Sequence, residues 1–214
     1  MNELLLSQPP LGMSKEGEPV WELAYFYPPQ GHWTEKEYLA LEHNRFLVEY
    51  DQGYLEFVSM PTREHQRIVL FLYRLIWSFL EARNLEGEVL TAPLPVKLWE
   101  GKYREPDVVY LSEAHSHQVE KYPSGADLVI EVVSGGVSDR YRDMVQKREE
   151  YAQAGIREYW IVDPEQERIT ILHLPEGQAA YAVHGEFGPG EQAASVLLDG
   201  LAVEITAVFA AAKV

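Results

Sequence analysis

A chain of 214 residues, 46% hydrophobic, 12% aromatic and 24% charged, has the make-up of an ordinary globular protein; its length suits one domain burying about 70% of its unfolded surface. A formal charge of -16 and a pI near 4.8 argue against a chain-wide basic footprint for gripping duplex nucleic acid, so such binding would need a local basic patch, an oligomeric groove or divalent cations. With no cysteine there is no disulfide framework, thiolate nucleophile or thiolate metal site, and any metal must be held by oxygen or imidazole.

No apolar run approaches the roughly 20 residues of a membrane span, and "MNELLLSQPP" has neither the basic start nor the apolar length of a signal peptide. The expectation is a cytoplasmic protein with no membrane partner.

Residues 1 to 31, rich in Pro and Gly, read as an N-terminal arm, and 32 to 214 as a single domain. Thr34 followed by Glu37 forms a capping box that opens a short helix up to about Leu41. "RFLVEYDQGYLEFVS" predicts two strands hinged at Asp51, Gln52 and Gly53, residue types suited to positive φ. After Pro61 and Thr62, Ile68, Val69, Leu72, Leu75, Ile76, Phe79 and Leu80 recur at helical spacing and predict a long, mostly buried helix.

"GEVLTAPLPVKLW", "PDVVYL" and "DLVIEVVS" are continuous apolar stretches of the kind that form central strands covered on both faces. "SDRYRDMVQKREEYAQAG" predicts a helix with Ser138 or Asp139 as N-cap and Gly155 as its stop. "REYWIVDP" and "RITILHL" predict two more strands joined at "DPEQE", and "LAVEITAVFAAA" a strand leading into a short helix. Trp77, Trp99 and Trp160 are expected in the core. The fold class is α/β (α+β), a mixed sheet flanked by two helical layers around one core, extended by the N-terminal helix and hairpin.

Two acids stand out. Asp107 follows Pro106, which lacks an N–H for a sheet ladder and so marks an edge or a strand start. Glu131 lies inside "LVIEVVS". Taken singly, each reads as a strand-end carboxylate, partly solvated or paired with Arg. As neighbours about 4 to 5 Å apart they would repel by roughly 4 kcal/mol at an effective dielectric near 20, which calls for a cation, a shared proton or a basic neighbour. Mg²⁺ or Mn²⁺ suits such oxygen donors.

Lys147 lies four residues after Asp143 and could form a plain helical ion pair with it, or project toward the two acids and help place a water. Glu64 and His65 open the long helix, where an acid is favoured by the helix dipole whatever the function. His115 and His117 form an H-x-H without an evident third ligand and outside a strand, which disfavours a metal there. Asp163 before Pro164 is ordinary turn chemistry. No phosphate-binding glycine loop or serine-hydrolase elbow occurs.

In this order "EPDVVYL", "ADLVIEVVS" and "DMVQKREEYAQAGIREYWIVDP" resemble the bacterial Uma-two family of restriction endonuclease-like proteins, in the PD-(D/E)XK nuclease superfamily. The resemblance runs from about Trp33 to Phe209, and Asp127 to Pro164 is its most specific block. It implies a restriction endonuclease-like mixed sheet and metal-dependent phosphodiester hydrolysis, with nucleic acid, DNA ahead of RNA, as partner. Pro106 and Asp107 match the "PD" pair and Glu131 the second acid. Val133 stands where the superfamily usually has lysine, and Lys147 on the following helix matches the family's own substitute.

Glu64 with His65 matches an acidic or polar position on the first core helix. "SGGVSDRYRD" departs from the family's more usual Ser-Pro-Ser, which puts that loop's conformation in question. The resulting expectation is a magnesium or manganese ion held by Asp107, Glu131 and the backbone carbonyl of Val132 or Val133, with Lys147 placing the attacking water. A homodimer would supply a groove that one acidic chain lacks. Two alternatives stay open: a nuclease fold kept for binding or regulation, and a metal-dependent hydrolase of a small phosphate compound, for which an acidic surface is no handicap.

Overall fold

The computed structural model of the protein describes residues 27–41, 48–118 and 121–213. Most of the expected arm, residues 1–26, and the predicted start of the first hairpin strand, 45–47, lie outside the described residues. Helix α1, Glu35–Leu39, begins with the expected capping box: Thr34 Oγ1 accepts from the Glu37 N–H at 3.2 Å while Glu37 Oε2 accepts from the Thr34 N–H at 2.9 Å.

Strands β1 (Val48–Asp51) and β2 (Tyr54–Phe57) are joined by Gln52 and Gly53, at φ 46 and 89°. A Cβ at Gly53 would meet the Gly31 carbonyl oxygen at 2.8 Å, so close approach and positive φ both select glycine there.

Helix α2, Arg63–Arg83, is capped by Thr62 and ends at Asn84 in the left-handed region. Ile68, Leu72 and Ile76 on its inner face are fully buried, each worth roughly 1.5–3 kcal/mol over exposure. Trp77, expected in the core, is 48% exposed, because it extends the outer row that Leu70 begins. Trp160 is buried as expected.

"GEVLTAPLPVKLW" is not one strand. A cis bond at Ala92-Pro93 and a second proline at 95 separate β3 (Gly87–Thr91) from β4 (Val96–Trp99), and the two join different sheets. β3 is an edge rather than a central strand. It pairs with β6 (Val108–Ser112), which pairs with β7 (Leu128–Val132); these two are the covered central strands their sequences predict.

After the short helix α3 (Glu113–Ser116), the chain builds α4 (Val137–Tyr141), one π-helical turn (Arg142–Gln146) and α5 (Lys147–Gln153), which ends near Gly155 at φ 77°. The N-cap is Gly136 rather than Ser138 or Asp139, because the helix starts at Val137 and Asp139 instead accepts the Ser59 hydroxyl at 2.8 Å.

Strands β8 (Glu158–Asp163) and β9 (Arg168–His173) pair antiparallel, as their turn implies, and β8 runs parallel to β7. Three strands were not legible beforehand: β5 (Lys102–Arg104), β10 (Ala182–Phe187) and β11 (Gln192–Ala194). β12 (Ala202–Glu204) leads into α6 (Ile205–Ala212) as the tail predicts.

The architecture is mixed α+β. A six-stranded sheet, ordered β10-β9-β8-β7-β6-β3, carries α2 and α6 on one face and the α4 to α5 segment on the other. A four-stranded sheet, β2-β1-β5-β4, holds its own small core of Tyr38, Val48, Tyr50 and Tyr103, so the single core expected from the sequence is replaced by separate clusters. No helix among the described residues is long and apolar enough to cross a membrane.

Candidate active site

The pairing Val108↔Ile130, carried one residue further, sets Asp107 opposite Glu131 on adjacent antiparallel strands. Directly opposed residues point to the same face. Both carboxylates line a cleft of about 530 Å³ between the two sheets and helices, shared with Glu105, Asp143, Arg142, Lys147 and His65.

Asp143, Lys147 and Tyr151 follow one another at four-residue spacing and turn a common face toward Glu131. Lys147 is 2% exposed, and its Nζ lies 2.8 Å from Glu131 Oε1, 3.2 Å from Glu49 Oε1 and 3.5 Å from Asp143 Oδ1. The helical ion pair and the approach to the strand acid are therefore both present. Tyr151 donates its hydroxyl to the same Glu131 oxygen at 2.5 Å. Asp107 Oδ2 accepts from the Val132 N–H at 2.7 Å and lies 3.1 Å from His65 Nε2.

Burial works against the ammonium of Lys147, but Glu131, Glu49 and Asp143 outweigh it and raise its pKa. It is a fixed positive charge rather than a base. Glu131 is pushed upward, first by burial and then by the charges of Asp107, Asp143 and Glu49, with Lys147 pulling the other way. Both shifts favour the protonated form: burial is the main cause for Glu131, and the facing acids are the cause for Lys147. Asp143 is likewise raised by burial, and its Oδ1 has no hydrogen-bond partner within the described residues.

Burial also opposes ionisation of Glu49, yet Lys147 and Arg104 more than offset it and hold its pKa at about 2. A pKa depressed on folding gives stability that is present above the unfolded value and lost as pH falls toward the folded one. For Glu49 that window runs from about 4.5 down to about 2. The contribution is on the order of 3 kcal/mol. In urea unfolding, the stability gap between wild type and Glu49→Gln should narrow as pH falls through this window; a gap independent of pH would contradict the assignment.

Glu64 does not join the cluster. It is exposed, while the next residue, His65, is buried and turns inward to Asp107. Glu64→Ala is expected to change stability by less than about 0.5 kcal/mol and to leave any cleavage rate unchanged in a parallel assay with wild type.

Val132 lines the cleft; Val133 does not, because its N–H pairs with the Val162 carbonyl and its side chain packs in the core. His115 Nδ1 sits 2.7 Å from Asp127 Oδ2 and His117 Nδ1 2.8 Å from the Glu113 carbonyl, so both members of the H-x-H are engaged locally. Asp163 accepts from Arg140 and from the turn N–H groups of Glu165 and Gln166.

The sequence reading missed Glu49, Tyr151 and Arg104. Glu49, fully buried between Val48 and Tyr50, posed the same puzzle as Glu131, an acid inside an apolar strand. Tyr151 was signalled only by its spacing from Lys147. Arg104 pairs with Glu49 at 2.7 Å, binds Glu150 through two nitrogens at 2.7 and 2.9 Å and contacts Glu56, locking the small sheet to α5.

Hard oxygen donors in which buried acids outnumber the facing cations suit a divalent cation of the Mg²⁺ type, although Asp143 Oδ1 is already ion-paired with Arg142 at 3.4 Å and Lys147 at 3.5 Å. Among the described residues no three His, Asp or Glu side chains converge into a full protein cage. Glu131 Oε2 and Asp107 Oδ1 accept no hydrogen bond there, so one oxygen of each acid is uncommitted.

The sheet order and flanking helices make this a mixed α+β fold, with the opposed acids and the helix-borne lysine in one cleft. A family model described as "Uma2: Putative restriction endonuclease" matches residues 35–207, and the chain belongs to that family. Among solved structures it is similar to a "putative nuclease belonging to DUF820" from Anabaena variabilis ATCC 29413. That similarity has a TM-score of 0.66 and 16% identity, over 84% of this chain and 99% of the other. No curated protein matches.

Proposed function

We propose that the protein is a divalent-cation-dependent phosphodiesterase acting on nucleic acid. The observation that carries this is Asp107 opposite Glu131 in one cleft, with the Lys147 ammonium on Glu131 at 2.8 Å. Asp107 and Glu131 would hold Mg²⁺ or Mn²⁺, with the carbonyl of Val132, which lines the cleft, as the backbone candidate. A cation held there supplies charge neutralisation at the phosphate and acidifies water.

The chain's own groups have separable tasks. Lys147 keeps its proton, anchors Glu131 and offsets negative charge beside the scissile group. His65 and the Val132 N–H hold Asp107 in place. Arg142, 3.0 Å from Asp139 and facing the cleft, is the cation positioned to meet a phosphate oxygen. The net charge of -16 favours a second reading, in which the substrate is a small phosphodiester rather than a polymer. A homodimer, our reading of the assembly, would lengthen the groove for a polymer, and sedimentation equilibrium measures it directly.

Incubation of the full chain with labelled single- and double-stranded DNA, RNA and bis(p-nitrophenyl) phosphate, in Mn²⁺ or Mg²⁺, tests both readings. Cleavage of a polymer that stops on addition of EDTA is expected. Hydrolysis of the small ester alone selects the second reading, and hydrolysis of none in either metal contradicts both.

A further inference from the structure

The two oxygens of each cleft carboxylate have different surroundings. Glu131 Oε1 takes the Lys147 ammonium at 2.8 Å and the Tyr151 hydroxyl at 2.5 Å, whereas Oε2 makes no hydrogen bond among the described residues. Asp107 repeats the pattern: Oδ2 accepts from the Val132 N–H and meets His65 Nε2, and Oδ1 is left over.

Each clamp is itself held. Tyr151 is fully buried, stands edge-on to Tyr159 with ring centroids 5.2 Å apart, and lies behind the cleft wall rather than on it. Tyr159 donates its hydroxyl to the Asp143 carbonyl at 2.7 Å, tying the ring pair to the π-helical turn. His65 comes from the opposite side, on the first turn of α2, where its N–H donates to the cap Thr62 at 3.1 Å.

We propose that Tyr151 and His65 are positioning residues that restrict Glu131 and Asp107 to one donor oxygen each, and so make the cleft select Mg²⁺ or Mn²⁺ over Ca²⁺. This rests on the reading that the cleft takes a divalent cation. Ca²⁺ takes six to eight oxygens at about 2.3–2.6 Å and readily uses both oxygens of a carboxylate, whereas Mg²⁺ demands octahedral geometry at about 2.0–2.1 Å and keeps several waters. A carboxylate with one oxygen committed to a phenol and an ammonium cannot turn both oxygens to one ion without breaking those bonds. Tyr151 touches no substrate in this scheme and acts only through Glu131.

Calorimetric titration of the full chain with MgCl₂, MnCl₂ and CaCl₂ tests the assignment in wild type, Tyr151→Phe and His65→Gln. Wild type should bind Mg²⁺ and Mn²⁺ more tightly than Ca²⁺. Each variant should weaken Mg²⁺ and Mn²⁺ by roughly 10- to 100-fold and Ca²⁺ by much less, so that the preference narrows or reverses. Equal weakening for all three ions, as general damage would give, overturns the proposal, and so does unchanged affinity. The variants sit on different elements, so one that fails to fold leaves the other to decide. Absence of saturable binding in wild type overturns the underlying cation reading instead.

Discussion

Glu131→Gln and Asp107→Asn are each expected to reduce metal-dependent cleavage by roughly 100-fold or more, the several kcal/mol that a catalytic cation contributes. Both substitutions keep shape and hydrogen-bonding capacity, so the fold should survive. Glu131→Gln relieves the repulsion that raises this group and leaves Lys147 with Glu49 and Asp143 as partners. Its melting temperature in metal-free buffer should therefore stay within a few degrees of wild type while activity collapses. Activity within about threefold of wild type in both variants would remove these acids from the reaction.

Lys147→Met is expected to produce the largest loss of stability. The ammonium is 2% exposed and faces three carboxylates, those of Glu131, Glu49 and Asp143. Removing one partner from a buried ion network typically costs 3–5 kcal/mol, because the remaining charges stay desolvated and unpaired. For a chain of this size that is a fall of roughly 10 °C in melting temperature. The loss should be smaller in Mn²⁺, since a cation on Asp107 and Glu131 restores part of the missing charge. A metal-free loss under about 1 kcal/mol would mean that proton uptake by Glu131 and Asp143, both already raised by burial, replaces the ammonium almost completely, and would contradict this prediction.

What could be read from the sequence followed periodicity and punctuation. Helix α2 was visible because Ile68, Leu72 and Ile76 repeat at helical spacing, and the first hairpin because Gln52 and Gly53 suit positive φ. β6 and β7 were visible because strands buried on both faces spell continuous apolar runs. The pair Asp107 and Glu131 stood out for being charged inside such runs, and Lys147 for its place on the next helix.

What escaped depends on chain segments far apart. Glu49 meets Arg104 and Lys147 only after β5 joins the first hairpin, and no local pattern announces that pairing. β5 has three residues and its sequence, Lys-Tyr-Arg, reads as surface; its two basic side chains are buried because Asp51, Glu49 and Glu150 neutralise them. Glu64 and His65 stand together at the start of α2, yet the acid is exposed and the histidine faces Asp107. Which of two adjacent helical residues faces inward is a matter of phase, and phase at a first turn is fixed by packing.

A crystal structure of the full chain grown with MnCl₂ and measured for anomalous scattering tests the central claim most directly. The account predicts an anomalous peak in contact with Asp107 Oδ1 and Glu131 Oε2, with Lys147 and Tyr151 still on Glu131 Oε1. A fully occupied Mn²⁺ bound elsewhere while these two carboxylates hold only protein and water would contradict it.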